Sequence, residues 1–233
     1  MTILALDTAG SMCAAALYDP LTRQVLAEVS HDIGKGHAEV LMDYIAQCFA
    51  TAKIARSDIT RIAVNIGPGS FTGVRVGVSA ARGFGLALSC PVVGITGFEA
   101  MMAEATEIAP SKPVLVALSA YRGDIYAQGF AASGEPATKP IAGSEAELLP
   151  VLEALGADYA LYGSAADQLS NAEGRNRPVI GPVIGPVIGN ASHASIGTFA
   201  RLSAQREAGA PPEPLYMRGP DVKPQTGFAL PRI

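Results

Sequence analysis

The sequence predicts an α/β protein built as two successive lobes. Short apolar segments with strand character alternate with longer segments of helical periodicity along most of the 233 residues. A Pro-Ser-Lys-Pro segment at residues 110–113 interrupts this alternation, and strand-like segments resume after it. Because a chain of this length forms either one large domain or two small lobes, we expect a first lobe at residues 1–110 and a second lobe at residues 111–233.

Three strands are predicted at the start of the first lobe. Thr2–Leu6 and Met12–Tyr18 are apolar runs on either side of the turn-forming Thr8–Ser11, which is typical of a β-hairpin with Asp7 at its tip. The run Gln24–His31 follows an Asp-Pro turn and predicts the third strand.

Two long helices are predicted next, at His37–Lys53 and Thr72–Leu88, on either side of a strand at Arg61–Ile66. Both helices have wide apolar arcs. In the second helix small residues recur at i, i+4 spacing, so that another backbone can approach closely. This row consists of Gly73, Gly77, Ala81 and Gly85. The row fits two interpretations, a helix that packs in its own core and a helix that meets another protein.

The rest of the chain continues the alternation. Strands are predicted at Pro91–Ile95, Val114–Leu118, Asp124–Phe130 and Tyr159–Tyr162, and helices at Phe98–Ile108, Glu145–Leu155, Ala165–Asn171 and Ala194–Arg206. The tetrapeptide Pro-Val-Ile-Gly occurs three times in succession from Pro178, which is too short a period for a solenoid repeat and indicates an edge strand or a connector. The last residues predict an extended, locally basic tail with Arg218, Lys223 and Arg232.

Composition excludes several classes of protein. Hydrophobic residues make up 49% and charged residues 16%, which is enough apolar surface for a packed core. Neither half has a basic excess, and the net charge is −4, so we expect no nucleic-acid binding by the chain alone. Three cysteines form no disulfide framework, and no signal peptide or membrane span is recognisable, so we expect a cytoplasmic protein.

The sequence has one candidate anion site and no candidate metal site. Asp7 and Thr8 end the first strand, while Gly69 and Ser70 precede a helix whose N-terminal N–H groups suit a phosphate. The same residues suit a purely structural role, in which the glycines form a turn and Ser70 caps the helix. The histidines have no metal-binding spacing, and we assign no catalytic residue.

Four ordered motifs resemble the TsaB (YeaZ) family. They are Leu-Ala-Leu-Asp-Thr-Ala at residues 4–9, His-Ala-Glu at 37–39, Gly-Pro-Gly-Ser-Phe-Thr-Gly-Val-Arg-Val-Gly at 67–77 and Pro-Leu-Tyr-Met-Arg at 214–218. The resemblance implies a two-lobed α/β fold of the actin-like ATPase, sugar kinase and Hsp70 type, which is ribonuclease H-like. It also implies a part in making threonylcarbamoyladenosine beside the anticodon of tRNA.

In that family the partners implied are the catalytic subunit TsaD, the ATPase TsaE and tRNA bound through the complex. The family member itself is a non-catalytic dimerisation subunit, so the resemblance implies no cofactor on this chain, although the complex uses ATP and magnesium. The catalytic relative has a metal-binding His-x-x-x-His, whose places align with Gly97 and Met101 here. Two alternatives remain, an autonomous ATP-dependent enzyme of the actin-like kind and a glycoprotease-type metallopeptidase.

The resemblance also implies that both long helices form the partner interface. Because that surface would be an exposed apolar patch in the free chain, we expect a homodimer through the same helices when the chain is alone. The candidate contact residues share an apolar, small or basic side chain on these helices. They are Val40, Leu41, Tyr44, Ile45, Gly73, Val74, Arg75, Gly77, Val78, Ala81, Arg82 and Gly85.

Overall fold

The computed structural model describes residues 1–120, 123–156, 158–170 and 186–217. Ten strands and six α-helices lie in these ranges. The strands are β1 Thr2–Asp7, β2 Met12–Asp19, β3 Gln24–Asp32, β4 Ile59–Asn65, β5 Val92–Ile95, β6 Val114–Ser119, β7 Ile125–Phe130, β8 Ile141–Gly143, β9 Ala160–Tyr162 and β10 Val187–Gly189. The helices are α1 His37–Ala52, α2 Phe71–Leu88, α3 Gly97–Ile108, α4 Leu149–Leu155, α5 Ala166–Ser170 and α6 Ile196–Gln205.

The first five strands form one sheet in the order β3-β2-β1-β4-β5. The pairs β1–β2 and β2–β3 are antiparallel, whereas β4 lies parallel to both β1 and β5. The predicted hairpin is therefore confirmed. Asp7, predicted at the tip of this hairpin, is buried at the end of β1.

The last five strands form a second sheet in the order β10-β9-β6-β7-β8. The second sheet repeats the arrangement of the first, with β6 in the central place of β1. The pairs β6–β7 and β7–β8 are antiparallel, and the pairs β6–β9 and β9–β10 are parallel. The sequence analysis missed β8, which has three residues, too few for a recognisable alternation. The repeated order is ribonuclease H-like, and the predicted α/β fold class is confirmed.

The helices lie in three layers around the two sheets, and α4 and α5 form the layer on the outer face of the second sheet. α1 and α2 pack on one face of the first sheet, where Leu41, Ile45 and Val78 join a core with Leu4 and Leu6. α3 and α6 lie against the other face, in a core that also contains residues of the second sheet. The last helix, α6, returns to contact β1, β2 and β4, and α3 contacts β6 and β9. The lobe boundary at residue 110 stays a prediction.

Hydrogen bonds hold α6 against α3. Glu104 of α3 accepts from the Ser195 N–H at 2.8 Å and from the Thr198 hydroxyl at 2.9 Å. Glu99 of the same helix forms an ion pair with Arg206, which follows α6. These contacts fix the loop before α6, and with it His193, beside the ends of the first sheet's strands.

Most predicted elements differ from the observed ones by one or two residues. The exceptions have local causes: the helix predicted over Glu145–Leu155 begins as a 3₁₀ turn at Glu145–Leu148, and Pro150 lies in the first turn of α4. Only the end of the Pro-Val-Ile-Gly repeat, in β10, lies inside the described residues. The tail residues Arg218, Lys223 and Arg232 lie outside them.

Among the helices in the described ranges, none combines the length and the apolar character needed to cross a bilayer.

Candidate functional site

The glycine-rich loop before α2 interlocks with the turn after β1. The Ser70 N–H donates to the Ala9 carbonyl at 2.7 Å, and the Thr8 hydroxyl donates to the Gly73 carbonyl at 2.7 Å. A Cβ on Gly69 would lie 2.1 Å from the Ala9 carbonyl oxygen, so only glycine allows this approach. The motif at residues 67–77 is thereby explained as a close contact between two backbone segments.

This interlock uses groups of the predicted phosphate site. Two of the groups expected to bind phosphate, the Thr8 hydroxyl and the Ser70 N–H, donate within the chain. The Ser70 Oγ accepts from the Gly73 N–H at 3.0 Å, so Ser70 is the N-cap of α2. These contacts hold the turn after β1 against α2, and the phosphate site at Asp7, Thr8, Gly69 and Ser70 stays a prediction.

Asp7 lies at the bottom of a small cavity between the two sheets. The cavity measures about 40 Å³, and its walls include Asn65, Gly97, Met101 and His193. It lies beyond the carboxyl ends of β1 and β4, the usual position of ligand sites in open α/β sheets. Gly97 and Met101, which the resemblance aligns with the His-x-x-x-His positions, both line this cavity.

The Asp7 carboxylate is buried with two donors. Its Oδ1 accepts from the Ala9 N–H at 2.9 Å and from the Asn65 side-chain amide at 3.0 Å. Burial raises the pKa of Asp7, while these two hydrogen bonds oppose the rise. Asn65 was not predicted; the available signal was one polar residue within the apolar run at residues 62–66. In the described part of the chain, no group of three or more His, Cys, Asp or Glu side chains could hold a metal ion.

The glycine row of α2 faces the chain's own sheet. A Cβ on Gly77 would lie 2.6 Å from the Thr8 Oγ1, and one on Gly85 would lie 2.4 Å from the Val92 Cγ2. The close approach that the i, i+4 spacing predicts is thus made with β1 and β5, and the interpretation as a core-facing row is confirmed. The expectation that this row contacts a partner is wrong, because its surface is covered.

Burial divides the twelve candidate contact residues into three groups. Eight are buried in the chain's own core: Leu41, Ile45, Gly73, Val74, Gly77, Val78, Ala81 and Gly85. Val40 and Tyr44 are half-buried, and the Tyr44 ring lies 5.3 Å from the His31 ring on β3. Only Arg75 and Arg82 are exposed.

The solvent side of the two helices includes polar side chains, among them Asp43, Gln47 and Arg82, and a set of small or apolar ones. We call the small or apolar set the outer face. Its members are exposed and either small or apolar: Ala38, Met42, Ala46, Ala50, Gly83, Leu86 and Ala87. Met42 is 47% exposed and Leu86 is 85% exposed. A Cβ on Gly83 would meet no atom within 4 Å. The outer face therefore leaves room for another molecule, in contrast to the glycine row.

Residues 214–217, the described part of the last motif, pack near the start of α2. The Leu215 N–H donates to the Ile66 carbonyl at 2.7 Å, and the Tyr216 hydroxyl accepts from the Arg75 Nε at 2.7 Å. The Arg75 guanidinium lies 3.6 Å from the centre of the Phe71 ring, which is a cation–π distance. Arg75 is thus held by Phe71 and Tyr216 and does not extend freely toward solvent.

Two sheets with this strand order, with a small cavity between them, define an α/β protein of the two-lobed, ribonuclease H-like class. Solved structures agree with this class. A Pseudomonas aeruginosa structure described as an uncharacterized protein with similarity to peptidase YEAZ has a TM-score of 0.74 at 22% identity, over 93% of this chain and 99% of that one. YeaZ from Pseudomonas aeruginosa has a TM-score of 0.67 at 23% identity, over 88% and 92%.

Sequence comparisons identify the family. Residues 24–178 match the family model described as TsaD, tRNA N6-adenosine threonylcarbamoyltransferase, which is more than half of the chain. The chain therefore belongs to the family of this model, and its relatives identify it with the TsaB (YeaZ) proteins.

The tRNA threonylcarbamoyladenosine biosynthesis protein TsaB of Escherichia coli is 32% identical over 126 residues, which are 54% of this chain and 53% of that protein. The TsaB protein of Buchnera aphidicola is 32% identical over 53% of this chain and 58% of its own. The chain thus spans about half the length of these curated relatives. An uncharacterized Mycobacterium tuberculosis protein is 27% identical over 96% of this chain and 94% of its own.

Proposed function

We propose that this chain is a non-catalytic scaffold subunit in the biosynthesis of threonylcarbamoyladenosine in tRNA. In this proposal it binds the catalytic subunit TsaD, works with the ATPase TsaE, and meets tRNA through the complex. Membership of the family and relatives named for this pathway support the pathway assignment. The observation that carries the scaffold role is the exposed outer face of α1 and α2.

Two residues in the cavity between the sheets support a non-catalytic role. Gly97 has no side chain, and Met101 is fully buried with a thioether that is a poor ligand for hard metal ions. The catalytic relative is expected to have histidines at these two places. A subunit that keeps the fold but replaces both ligands would contribute surface and stability to the complex and would leave the transfer step to TsaD.

The outer face has the composition expected of a protein interface. Its small residues allow a partner helix to approach closely, and Met42 and Leu86 supply apolar area for burial. An exposed apolar surface of this kind is unfavourable in a free protein. The chain alone would therefore form a homodimer through the same face, and TsaD would replace the second copy.

A pair of arginine substitutions tests the interface. Gly83→Arg adds a long charged side chain at the centre of the outer face, where the chain itself offers open space, so folding is expected to be unchanged. Ala154→Arg makes the same change in charge on the exposed side of α4 and serves as the control. We expect Gly83→Arg to weaken association with TsaD at least about 100-fold in calorimetric titrations and to yield a monomer in native mass spectrometry.

Both variants must keep the circular dichroism spectrum and melting temperature of the unsubstituted chain. Unchanged affinity of folded Gly83→Arg for TsaD would show that the partner binds elsewhere, and the proposed interface would then be rejected. Loss of binding in both variants would also reject it, because a general effect of added positive charge would explain the result.

The function itself is tested by reconstitution. Purified TsaD, TsaE and an adenylate-forming enzyme are incubated with tRNA, ATP, threonine and bicarbonate, with and without this chain, and threonylcarbamoyladenosine is measured by mass spectrometry of the digested tRNA. We expect formation to depend on the chain and to be lost with Gly83→Arg but not with Ala154→Arg. Formation that does not depend on the chain would contradict the proposal.

A further inference from the structure

Arg75 lies on the solvent side of α2, in line with the outer face. Arg75 and Leu86 are about three helical turns apart, so their side chains project from the same side of α2. Ser79 and Arg82 are also exposed on this side. At a rise of about 1.5 Å per residue, Arg75 lies roughly 16 Å from Leu86 along the helix axis. A partner that covers α2 over this length therefore also covers Arg75.

Two aromatic side chains hold the guanidinium of Arg75 in place. Its central carbon lies 3.6 Å from the centre of the Phe71 ring and 5.5 Å from the centre of the Tyr216 ring. Its Nε donates to the Tyr216 hydroxyl at 2.7 Å, and the two ring centres lie 5.0 Å apart. A long and flexible side chain thereby loses much of its rotamer freedom before any partner arrives.

Backbone contacts fix the position of Tyr216. The preceding residue, Leu215, donates its N–H to the Ile66 carbonyl at 2.7 Å. The Leu215 carbonyl oxygen packs so closely on the glycine-rich loop that a Cβ on Gly67 would lie 2.9 Å from it. The Tyr216 hydroxyl is thus fixed relative to Arg75, which gives the described part of the last motif a role beside α2.

The two Nη groups of Arg75 have no acceptor within the described part of the chain. There Tyr216 is the only hydrogen-bond partner of this side chain, and no carboxylate forms an ion pair with it. By contrast, Arg61 donates to two backbone carbonyls, and Arg201 and Arg206 pair with glutamates. The sequence of α2 has two arginines and no acidic residue. An exposed, oriented guanidinium with both Nη groups unpaired suits a carboxylate, which can accept two parallel hydrogen bonds.

We propose that Arg75 binds the carboxylate of an Asp or Glu side chain on the partner subunit, with Phe71 and Tyr216 as the residues that position its guanidinium. The inference rests on the proposed function, because the partner is the protein that covers the outer face, TsaD. Arginine and aromatic side chains are enriched at the centres of protein interfaces. Phe71 is 44% exposed and Tyr216 is 43% exposed, so the same partner would cover both rings and exclude water from the charge pair.

Calorimetric titrations of TsaD with the full chain measure the contribution of Arg75. We expect Arg75→Gln to weaken association at least about tenfold, because a charge-assisted bidentate pair is lost. Arg75→Lys should weaken association about fivefold, since an ammonium group keeps the charge but lacks the planar fork. Lys139→Gln removes an exposed positive charge ahead of β8, away from α2, and should leave the affinity unchanged.

The salt dependence of the affinity separates pairing from positioning. Arg75→Gln should reduce the slope of log Kd against log NaCl concentration, because one charge pair that salt can screen is removed. Tyr216→Phe keeps the ring but removes the hydroxyl, and should weaken association about threefold. Its salt slope should equal that of the unsubstituted chain, since Arg75 keeps its charge. Unchanged affinity of Tyr216→Phe would overturn the positioning role.

Carbodiimide coupling identifies the group that Arg75 meets. In Arg75→Lys the primary amine can form an amide with a carboxylate in direct contact, and mass spectrometry of the digested complex locates the link. We expect a link between position 75 and an Asp or Glu of TsaD. A link to a second copy of this chain, or an affinity of Arg75→Gln equal to that of the unsubstituted chain, would overturn the proposal. Failure of the unsubstituted chain to bind TsaD would reject the proposed function itself, so the two failures are distinguishable.

Discussion

Gly77 and Gly83 lie six residues apart on α2 and face opposite environments. A side chain on Gly77 would collide with Thr8 in the turn after the chain's own first strand, whereas a side chain on Gly83 would point into open space. Gly77 belongs to the glycine row, which forms the inner face of α2, and Gly83 belongs to the outer face. A row of small residues therefore indicates that a backbone can approach closely, but it does not show whether that backbone belongs to the same chain or to a partner.

A substitution at Gly73, on the inner face, tests the difference between the two faces of α2 most directly. A Cβ there would lie 2.1 Å from the Thr8 carbonyl oxygen, and a shift of this backbone atom would disturb the hydrogen bonds around it. We expect Gly73→Ala to destabilise the protein by at least about 3 kcal/mol in chemical denaturation, because both interlocked segments must shift. Gly83→Ala is the matched control, and it should stabilise α2 by about 0.5–1 kcal/mol because alanine favours helix. Equal effects of the two changes would mean that α2 does not have distinct faces.

Gly85 differs from Gly73 because the atom nearest to the position of an added Cβ belongs to a side chain and not to the backbone. A Cβ on Gly85 would lie 2.4 Å from the Val92 Cγ2, and valine can partly yield. We expect Gly85→Ala to cost about 1–3 kcal/mol, less than Gly73→Ala. In a double-mutant cycle, Val92→Ala should make the Gly85→Ala change cheaper by at least about 1 kcal/mol. Additive effects would show that these two residues do not meet.

Arg75 and Arg82 compare two exposed arginines on the same helix. Arg75 stacks on Phe71 and donates to the Tyr216 hydroxyl, so Arg75→Ala should cost about 1 kcal/mol and loosen the segment that contains Tyr216. Arg82→Ala should change the free energy of unfolding by less than about 0.5 kcal/mol. Thermal denaturation measures the stabilities, and hydrogen exchange of the Leu215 amide measures the loosening. Unchanged exchange in Arg75→Ala would contradict the docking of this segment.

The smallest expected effect concerns the pH dependence of stability at Asp7, next to the inner face. Because burial raises the pKa of Asp7 above 3.8, the folded state binds this proton more tightly than the unfolded state. The contribution of Asp7 to stability therefore falls as the pH rises from 3.8 through the raised pKa, and Asp7→Asn removes this fall. We expect the stability of Asp7→Asn relative to the unsubstituted chain to increase from pH 4 to pH 7 in denaturation curves. A constant difference would contradict the raised pKa.

Local patterns predicted most elements of the fold. The bounds of α1, α2 and α3 were predicted to within one residue, because caps, turn residues and apolar spacing are all contained in a short stretch of sequence. Strand β8 was missed because three residues carry too little pattern. Asn65 was also missed, since its partner Asp7 is 58 residues away and only the parallel pairing of β1 and β4 brings them together.

In the candidate site, some features follow from local sequence patterns, and others depend on how distant segments pack. By itself the sequence determined the fold class, the helices and the residues of the glycine-rich motif, because periodicity and turn chemistry are local properties. Only the packing of distant segments shows that Gly77 faces Thr8 while Gly83 faces solvent, and that the Ser70 N–H donates to the Ala9 carbonyl. A small residue or a free N–H group indicates only that another group can approach closely. Which atoms fill that space depends on segments tens of residues away in the chain.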